Sequence, residues 1–541
     1  METHDAIIIG AGMSGLYQLH TLREIGLKAL VLEAGSDVGG TWYWNRYPGA
    51  RFDSETYTYC YSFSPELLAE WDWKEHFAPQ TETYPYFRHV AERFDLRRDI
   101  VFGTRVARAT WLEADNVWRI DSDDGRVFQA RFLITAIGIL SIPVIPPFEG
   151  RETFKGRSFH SADWPREPFD LTGKRVAVFG TGATGIQVIQ EVAKVAGHLT
   201  VYQREGNWAK PLHNAPIDAE EMAQIRERFP EIFARCKATS AAFLHDWEPR
   251  VMADATPEER EAMFEALYAQ RGFAFWLSNF QDLPTNAETA KAVGDFLARK
   301  IRERVNDPAK AEILIPKNHL FGTKRVPMET NYYEVYNQTN VDLVDLKATP
   351  VERFTECGIV TGGEERAFDV VIYATGFDAV RGAWDRIDFT GVGGQKLIDK
   401  WRDGPVTYMG LQVHGFPNLL ANVGPHSGAT FCNVPRCIEQ NVEFIAALLK
   451  WMTEQGFDRV EASEAAEAEW TESQRQGAEA FLASKVDSWF TSINTNLPGR
   501  NRRSLLFYTG GQQHFLTFCA DVVANGYEGF QMIRAASPAT A

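Results

Sequence analysis

Two hexapeptides in this chain, Gly10-Ala11-Gly12-Met13-Ser14-Gly15 and Gly180-Thr181-Gly182-Ala183-Thr184-Gly185, share the spacing G-x-G-x-x-G. Glycines so placed have separate jobs. The first permits a tight turn, the second lets backbone approach a pyrophosphate, and the third lets the next helix pack against the strand before it. The positive end of that helix then faces the phosphates. The spacing alone is a weak signal, so its context decides. Residues 5–9 and 175–179, both β-branched and apolar, precede the triads as strands of a buried parallel sheet would. A helical stretch follows each triad, and then a further strand, residues 28–32 and 199–203.

The two sites differ in the charge that ends this second strand. Glu33 stands about 20 residues past the first triad, where a carboxylate accepts a ribose 2′-hydroxyl and repels a 2′-phosphate. The first site therefore suits FAD or NAD. Arg204 holds the corresponding place after the second triad. A guanidinium pairs bidentately with phosphate, so the second site should take NADP with its 2′-phosphate on Arg204. The competing reading is a surface arginine unrelated to any cofactor.

Three further features invite chemistry and have plainer alternatives. The stretch from Gly39-Gly40-Thr41-Trp42 to Tyr47-Pro48-Gly49 breaks regular structure and offers flat aromatic surface suited to covering an isoalloxazine ring. Aromatics packing a loop-rich core explain it equally well. Asp53, Tyr57 and Tyr59 continue this stretch in extended form. Lys324-Arg325 is a pair of adjacent cations in an acidic chain, and a solvated pair is the usual fate of such a dipeptide. His160, alone in its motif, reads as a structural histidine that couples domain positions rather than as a general base.

The elements that must position these residues are bounded by length and composition. A chain of 541 residues exceeds one hydrophobic core. With 45% hydrophobic and 24% charged residues it reads as an ordinary soluble globular protein. Its formal net charge of −16 disfavours generic attraction to nucleic acid or anionic lipid. No apolar run reaches the roughly 18 residues of a membrane span, and the amino terminus is acidic where a signal peptide would be basic. The six cysteines are scattered without a C-x-x-C pair for zinc or dithiol cycling, which fits a reducing cytoplasm. No metal site is expected.

Residues 100–140 alternate like strands, around Trp118-Arg119-Ile120 and Arg131-Phe132-Leu133-Ile134, and Pro143, Pro146 and Pro147 stiffen a connector. Residues 215–315 read as helical. Helices are expected over 256–271, opened by the capping box Thr256, Pro257 and Glu259, and over 287–306. Residues 370–377 form a buried strand running into a glycine turn. A long helix is expected over about 438–455, then an aromatic loop with Trp489 and Asn494. The fold class is α/β, with two Rossmann-like dinucleotide-binding domains and a helical insert in the second. The expected division is 1–145 and 381–541 for the FAD-binding domain, 146–214 and 321–380 for the NADP-binding domain, and 215–320 for the insert.

With both signatures placed, the chain resembles the type I Baeyer–Villiger monooxygenases over essentially its whole length. The family fingerprint F-x-G-x-x-x-H-x-x-x-W-P is met by Phe154, Gly156, His160, Trp164 and Pro165, between the two glycine motifs. A second family pattern, G-G-x-W followed by Y-P-G-x-x-x-D, is met by Gly39, Gly40, Trp42, Tyr47, Pro48, Gly49 and Asp53. The resemblance implies that NADPH reduces FAD and that O2 adds to form a flavin peroxide. This attacks a ketone to give an ester or lactone; sulfides are a further implied substrate. It implies FAD contacts from Gly10, Gly12, Met13, Ser14, Gly15 and Glu33, and from Gly40, Thr41, Trp42, Asp53, Tyr59 and Val106. For NADP it implies Arg51, Thr181, Gly182, Ala183, Thr184, Gly185 and Gln187. Arg204, Lys324, Arg325 and Trp489, the tryptophan of a mobile carboxy-terminal loop, complete that set. It makes Arg325 the active-site cation and Asp53 its orienting partner.

Two positions depart from the family pattern: Ala183-Thr184 where serines are frequent, and Ser492 where glycine is common. The alternative reading is an N- or S-oxygenating flavin monooxygenase, whose shorter fingerprint H-x-x-x-[YF] differs from His160 to Trp164. The absence of a redox cysteine pair disfavours a disulfide reductase. A non-enzymatic sensor of two nucleotides would oxidise NADPH slowly and ignore ketones. The insert and loops such as residues 425–431 would shape the ketone pocket.

Overall fold

The computed structural model describes residues 3–429 and 432–534, so Thr430 and Phe431 of the expected pocket loop lie outside the described residues. Two parallel-centred sheets organise the chain. In the first, Thr3–Ile9 lies between Ala29–Leu32 and Val127–Thr135, parallel to both. Its core positions Ala6, Ile7 and Ile8 are fully buried, as a strand covered on both faces requires. Val106–Leu112 and Val117–Ser122 extend the sheet antiparallel beyond Val127–Thr135. The chain returns to this sheet late, adding Asp388–Thr390 and Leu419–Ala421.

The second sheet is wholly parallel, in the order Val341–Asp345, His198–Gln203, Arg175–Phe179, Val370–Tyr373 and Arg157–His160. The strand Val370–Tyr373 sits inside the sheet and runs into the turn of Gly376, as expected from the sequence. Helices Ala219–Lys237, Pro257–Tyr268 and Ala287–Arg304 are inserted between the third and fourth strands of this sheet in chain order, His198–Gln203 and Val341–Asp345. The expected capping box is formed: Glu259 N–H donates to Thr256 Oγ1 at 3.2 Å, and Thr256 N–H donates to Glu259 Oε2 at 2.7 Å. Leu16 and Leu19 of helix Met13–Glu24 share one core with Val442, Ile445 and Leu449 of helix Val434–Gln455. Each such side chain, fully buried, contributes about 1.5–3 kcal/mol.

Three expectations are corrected. Thr56–Tyr59 is one helical turn, not an extended run. The alternation Thr-Tyr-Thr-Tyr imitates a strand, but Thr58 Oγ1 donates to the Glu55 carbonyl at 2.8 Å and closes the turn. The long helix starts at Val434, four residues before the expected Ile438, because Pro435 fits the first helical turn rather than breaking it. Finally, Cys432 is bonded to Cys437, with Cα atoms 6.8 Å apart, so the cysteines are not all isolated. The helix start at Val434 folds the chain back to bring the two together. Among the described residues no helix is long and apolar enough to cross a membrane, and no cluster of metal-ligating side chains is present.

Candidate active site

The first glycine cradle is built by close approach. Gly10 has φ +105°, and a Cβ there would lie 2.6 Å from the Ala136 carbonyl; a Cβ on Gly15 would lie 1.8 Å from that of Gly10. Helix and strand therefore meet as the triad requires. Glu33 ends the second strand, buried, and its two carboxylate oxygens accept from Ala11 N–H and Gly35 N–H, each at 2.6 Å. Burial pushes its carboxyl above the usual carboxylate range, against the pull of those donors. Thr41 opens the short helix Thr41–Trp44 right after Gly40. Trp42 Nε1 donates to Tyr59 OH at 3.0 Å, and Tyr59 stacks on Phe52 at 4.1 Å. The Met13 carbonyl accepts from Tyr61 OH at 2.6 Å, and Ser14 is buried in the same helical turn. Val106 begins its strand just after Thr104, whose N–H donates to the Glu33 carbonyl at 2.8 Å.

The second cradle repeats this geometry. A Cβ on Gly180 would lie 2.4 Å from the Ala374 carbonyl, and one on Gly185 would lie 2.1 Å from that of Gly180. A Cβ on Gly182 would meet nothing within 4 Å, so the middle glycine, where a pyrophosphate approaches, stands open. Thr181 Oγ1 ties the loop to the Glu205 carbonyl at 2.9 Å, and Ala183 and Thr184 open helix Ala183–Val192. Arg204 is exposed, and its Nη1 donates to Thr495 Oγ1 at 3.0 Å and to Asn496 Oδ1 at 3.4 Å. Burial lowers the pKa of Lys324; Glu205 opposes that shift and Arg204 reinforces it. Two cations that repel each other beside an open glycine loop fit a dinucleotide phosphate.

The carboxy-terminal segment covers this side. Trp489 packs on Phe490 at 4.3 Å and against Ala379, Val380 and Leu506. Arg500 anchors the loop through Asp378 at 2.8 Å and Asp385 at 2.5 Å. Ser492, the departure from the family glycine, adopts the left-handed conformation with φ +60° that a glycine would favour.

Between the cradles, Arg325 Nη2 lies 2.6 Å from Asp53 Oδ2; the Asp53 side chain is 3% exposed and that of Arg325 is 31% exposed. Asp53 Oδ1 has no hydrogen-bond partner among the described residues. Tyr47 connects the pair to both sides. Its hydroxyl donates to Gln187 Oε1 at 2.9 Å and reaches Thr184 at 3.4 Å, and the charges of Asp53 and Arg325 both act on it. Arg51 turns its guanidinium to Glu75 at 2.9 Å and to the Phe77 carbonyl, while its own carbonyl accepts from Gln187 Nε2 at 3.0 Å.

His160 sits at the end of an edge strand of the second sheet. Its Nδ1 accepts from Ala162 N–H at 3.1 Å, which leaves the proton on Nε2 to be donated to the Gly376 carbonyl at 3.0 Å. Burial pushes its pKa down to about 4. Both ring nitrogens are committed to backbone, so the ring joins this strand to the glycine turn. Around it, Phe154 fills the space beside Gly156, and Trp164 meets Phe159 edge-on at 5.0 Å just before Pro165. An imidazole whose folded pKa lies below 6.5 adds stability above that pH and loses it as pH falls toward about 4. His160→Gln should keep both backbone bonds without titrating. We expect its unfolding temperature near neutral pH to stay close to the parent's, and to drop less steeply on acidification, as differential scanning fluorimetry across this pH range would show.

Sequence reasoning missed Glu55, which lies two positions after Asp53, and its partner His245. The only signal was the placing of a second carboxylate two positions after Asp53.

The fold and these two cradles define a flavoprotein that handles two dinucleotides. The profile of the flavin-binding monooxygenase-like family matches residues 4–220. The chain is 45% identical over 534 residues to 2-oxo-Δ3-4,5,5-trimethylcyclopentenylacetyl-CoA monooxygenase of Pseudomonas putida, covering 98% of each chain. It is 40% identical over 526 residues to a Baeyer–Villiger monooxygenase of Pseudooceanicola batsensis, covering 97% of this chain and 95% of the relative. A crystal structure of OTEMO with FAD and NADP superposes with a TM-score of 0.94 at 45% identity, over 98% of this chain and 99% of that one. This chain belongs to the Baeyer–Villiger monooxygenases, FAD- and NADPH-dependent enzymes that convert ketones to esters or lactones.

Proposed function

We propose that Arg325, held by Asp53 between the two cradles, is the cation on which oxygen transfer to a small ketone depends. The observation that carries this reading is the 2.6 Å contact between a nearly buried carboxylate and a guanidinium that keeps part of its surface free. Bound FAD, reduced by NADPH, supplies the oxidising chemistry with O2. The chain's own residues supply the setting. Gly10, Gly12 and Gly15 admit the FAD pyrophosphate, and Glu33 waits at the ribose. Gly182 admits the second pyrophosphate, and Arg204 and Lys324 clasp the 2′-phosphate, with Trp489 and its loop closing over that side. Arg325 stays charged out of water and stabilises the negative oxygen that develops on the carbonyl adduct. Loop closure excludes water that would waste the oxidant.

We assign the first sheet, with residues 1–145 and 381–541, to FAD. Residues 146–214 and 321–380 we assign to NADP, with 215–320 as the insert. Ketone and O2 are the small-molecule partners. The cytoplasm is the proposed location. The function itself is tested by incubating FAD-loaded protein with NADPH, air and a panel of cyclic, linear and aromatic ketones. At least one ketone should gain a single oxygen atom by mass, and a panel with no such product would refute the reading.

A further inference from the structure

Asp53 and Glu55 lie two apart in the chain, Asp53 in a bend and Glu55 at the start of the helical turn Thr56–Tyr59. Asp53 takes Arg325. Glu55 takes His245 of the insert, with Nε2 2.8 Å from Oε1. The Glu55 side chain is only 4% exposed, and its Oε2 has no hydrogen-bond partner among the described residues. From His245 the contacts lead back to the active cation. Phe243, two residues earlier, meets Phe273 edge-on at 5.2 Å, and the Phe273 ring lies 5.5 Å from the Arg325 guanidinium. Gly272, the neighbour of Phe273, passes close to the carboxylate with no room for a side chain, since a Cβ there would lie 3.0 Å from Glu55 Oε1.

These contacts close a ring: Asp53, Arg325, Phe273, Phe243, His245, Glu55. Three separate parts of the chain enter it, the loop after the first cradle, the insert, and the segment that carries Arg325. An arginine side chain has several rotatable bonds, and one ion pair fixes one end of its fork. The aromatic face on its other side is held only as firmly as Phe273 is. Phe273 in turn is held by Phe243, and its neighbour Gly272 runs close beside Glu55. We propose that Glu55 and His245 are positioning residues whose hydrogen bond locks this ring and so sets where the Arg325 guanidinium stands. This inference rests on Arg325 acting as described under the proposed function.

The spacing of the ring explains why a buried carboxylate is kept here. A carboxylate out of water costs several kcal/mol unless it is paired, so Glu55 is retained at a cost to stability that its single partner, His245, offsets only in part. A docking contact between insert and loop would be met more cheaply by apolar side chains. A directional bond that fixes one register of the insert is what the carboxylate adds. Misplacing a reacting group by about 1 Å can cost on the order of a hundredfold in rate.

The test uses full-length, FAD-loaded protein with Glu55→Ala, Glu55→Gln and His245→Ala, against the parent. Crystal structures read the Asp53–Arg325 contact independently of activity. Assays read ester formed per NADPH consumed, and kcat and KM for NADPH. Glu55→Ala should break the contact and cut ester per NADPH on the order of tenfold or more. NADPH consumption should stay within about twofold, since the cofactor sites are intact. Glu55→Gln, which can still bond His245, should recover most of the coupling. Should Glu55→Ala fail to fold, His245→Ala carries the same expectation from the partly exposed end of the bond. An unmoved Arg325 with parental coupling in His245→Ala and Glu55→Ala would overturn the proposal, as would a loss that Glu55→Gln leaves unrecovered. If the parent itself makes no ester, the functional reading fails, while the crystallographic contact still decides the positioning claim.

Discussion

Arg325→Ala should still let NADPH reduce the bound flavin, yet ester formation should fall on the order of 10²–10³-fold, the typical loss when one preorganised donor to a developing oxyanion is removed. The asymmetry follows from where the side chain sits. Arg325 belongs to neither glycine triad, so the two cradles that would hold the pyrophosphates remain when it is removed. Its side chain is 31% exposed, while Asp53, 3% exposed, fixes one end of the guanidinium. The substitution strands that carboxylate, and unpaired buried charge is costly. Because Arg325 is partly exposed, solvent screens some of the loss. The unfolding temperature and FAD content must therefore be measured alongside, to separate lost chemistry from lost protein. Arg325→Lys restores a point charge without the planar fork and should recover only part of the yield. Full ester yield in Arg325→Ala would remove this residue from the reaction.

Arg204→Ala is the second large effect. A charge-assisted hydrogen bond contributes about 1.5–3 kcal/mol, so losing the 2′-phosphate contact should raise the KM for NADPH roughly tenfold to a hundredfold. NADH has no such phosphate and should be used nearly as before. The structure adds a second, smaller effect. Arg204 also reaches Thr495 and Asn496 of the covering loop, so both coenzymes should lose slightly when that tie is cut. The diagnostic quantity is the ratio of kcat/KM for NADPH over NADH. It should collapse in Arg204→Ala, and equal losses for both coenzymes would contradict the phosphate assignment. Raised salt should weaken NADPH binding in the parent and have less influence in the variant.

The parts of this architecture that were legible in sequence are those fixed by local rules. The strand Arg175–Phe179 is found at the positions its β-branched run announced, and Thr256 caps its helix as its spacing with Glu259 requires. The two cradles were readable because glycine is needed there for close approach, which the contacts of Gly10, Gly15, Gly180 and Gly185 bear out. Sequence failed where a local side-chain bond or a proline overrides the apparent pattern, and where a distant partner decides. Thr56–Tyr59 alternates like a strand and forms a helical turn, closed by the Thr58 hydroxyl on Glu55. Helix Val434–Gln455 starts earlier than its periodicity suggests, because Pro435 fits the first helical turn. Asp53 and Arg325 take their paired roles only from family resemblance, since nothing local joins two residues so far apart. Glu55 and His245 had not even that, and only the folded chain brings them together.

The most direct test of the central claim is a single turnover of FAD-loaded protein with NADPH, a ketone from the panel and isotopically labelled O2. If a guanidinium fixed by Asp53 directs oxygen to a carbonyl, one labelled atom should appear in the ester for each NADPH consumed, and hydrogen peroxide should be scarce. NADPH consumed with all label in hydrogen peroxide or water, and none in any product of the ketone, would contradict it.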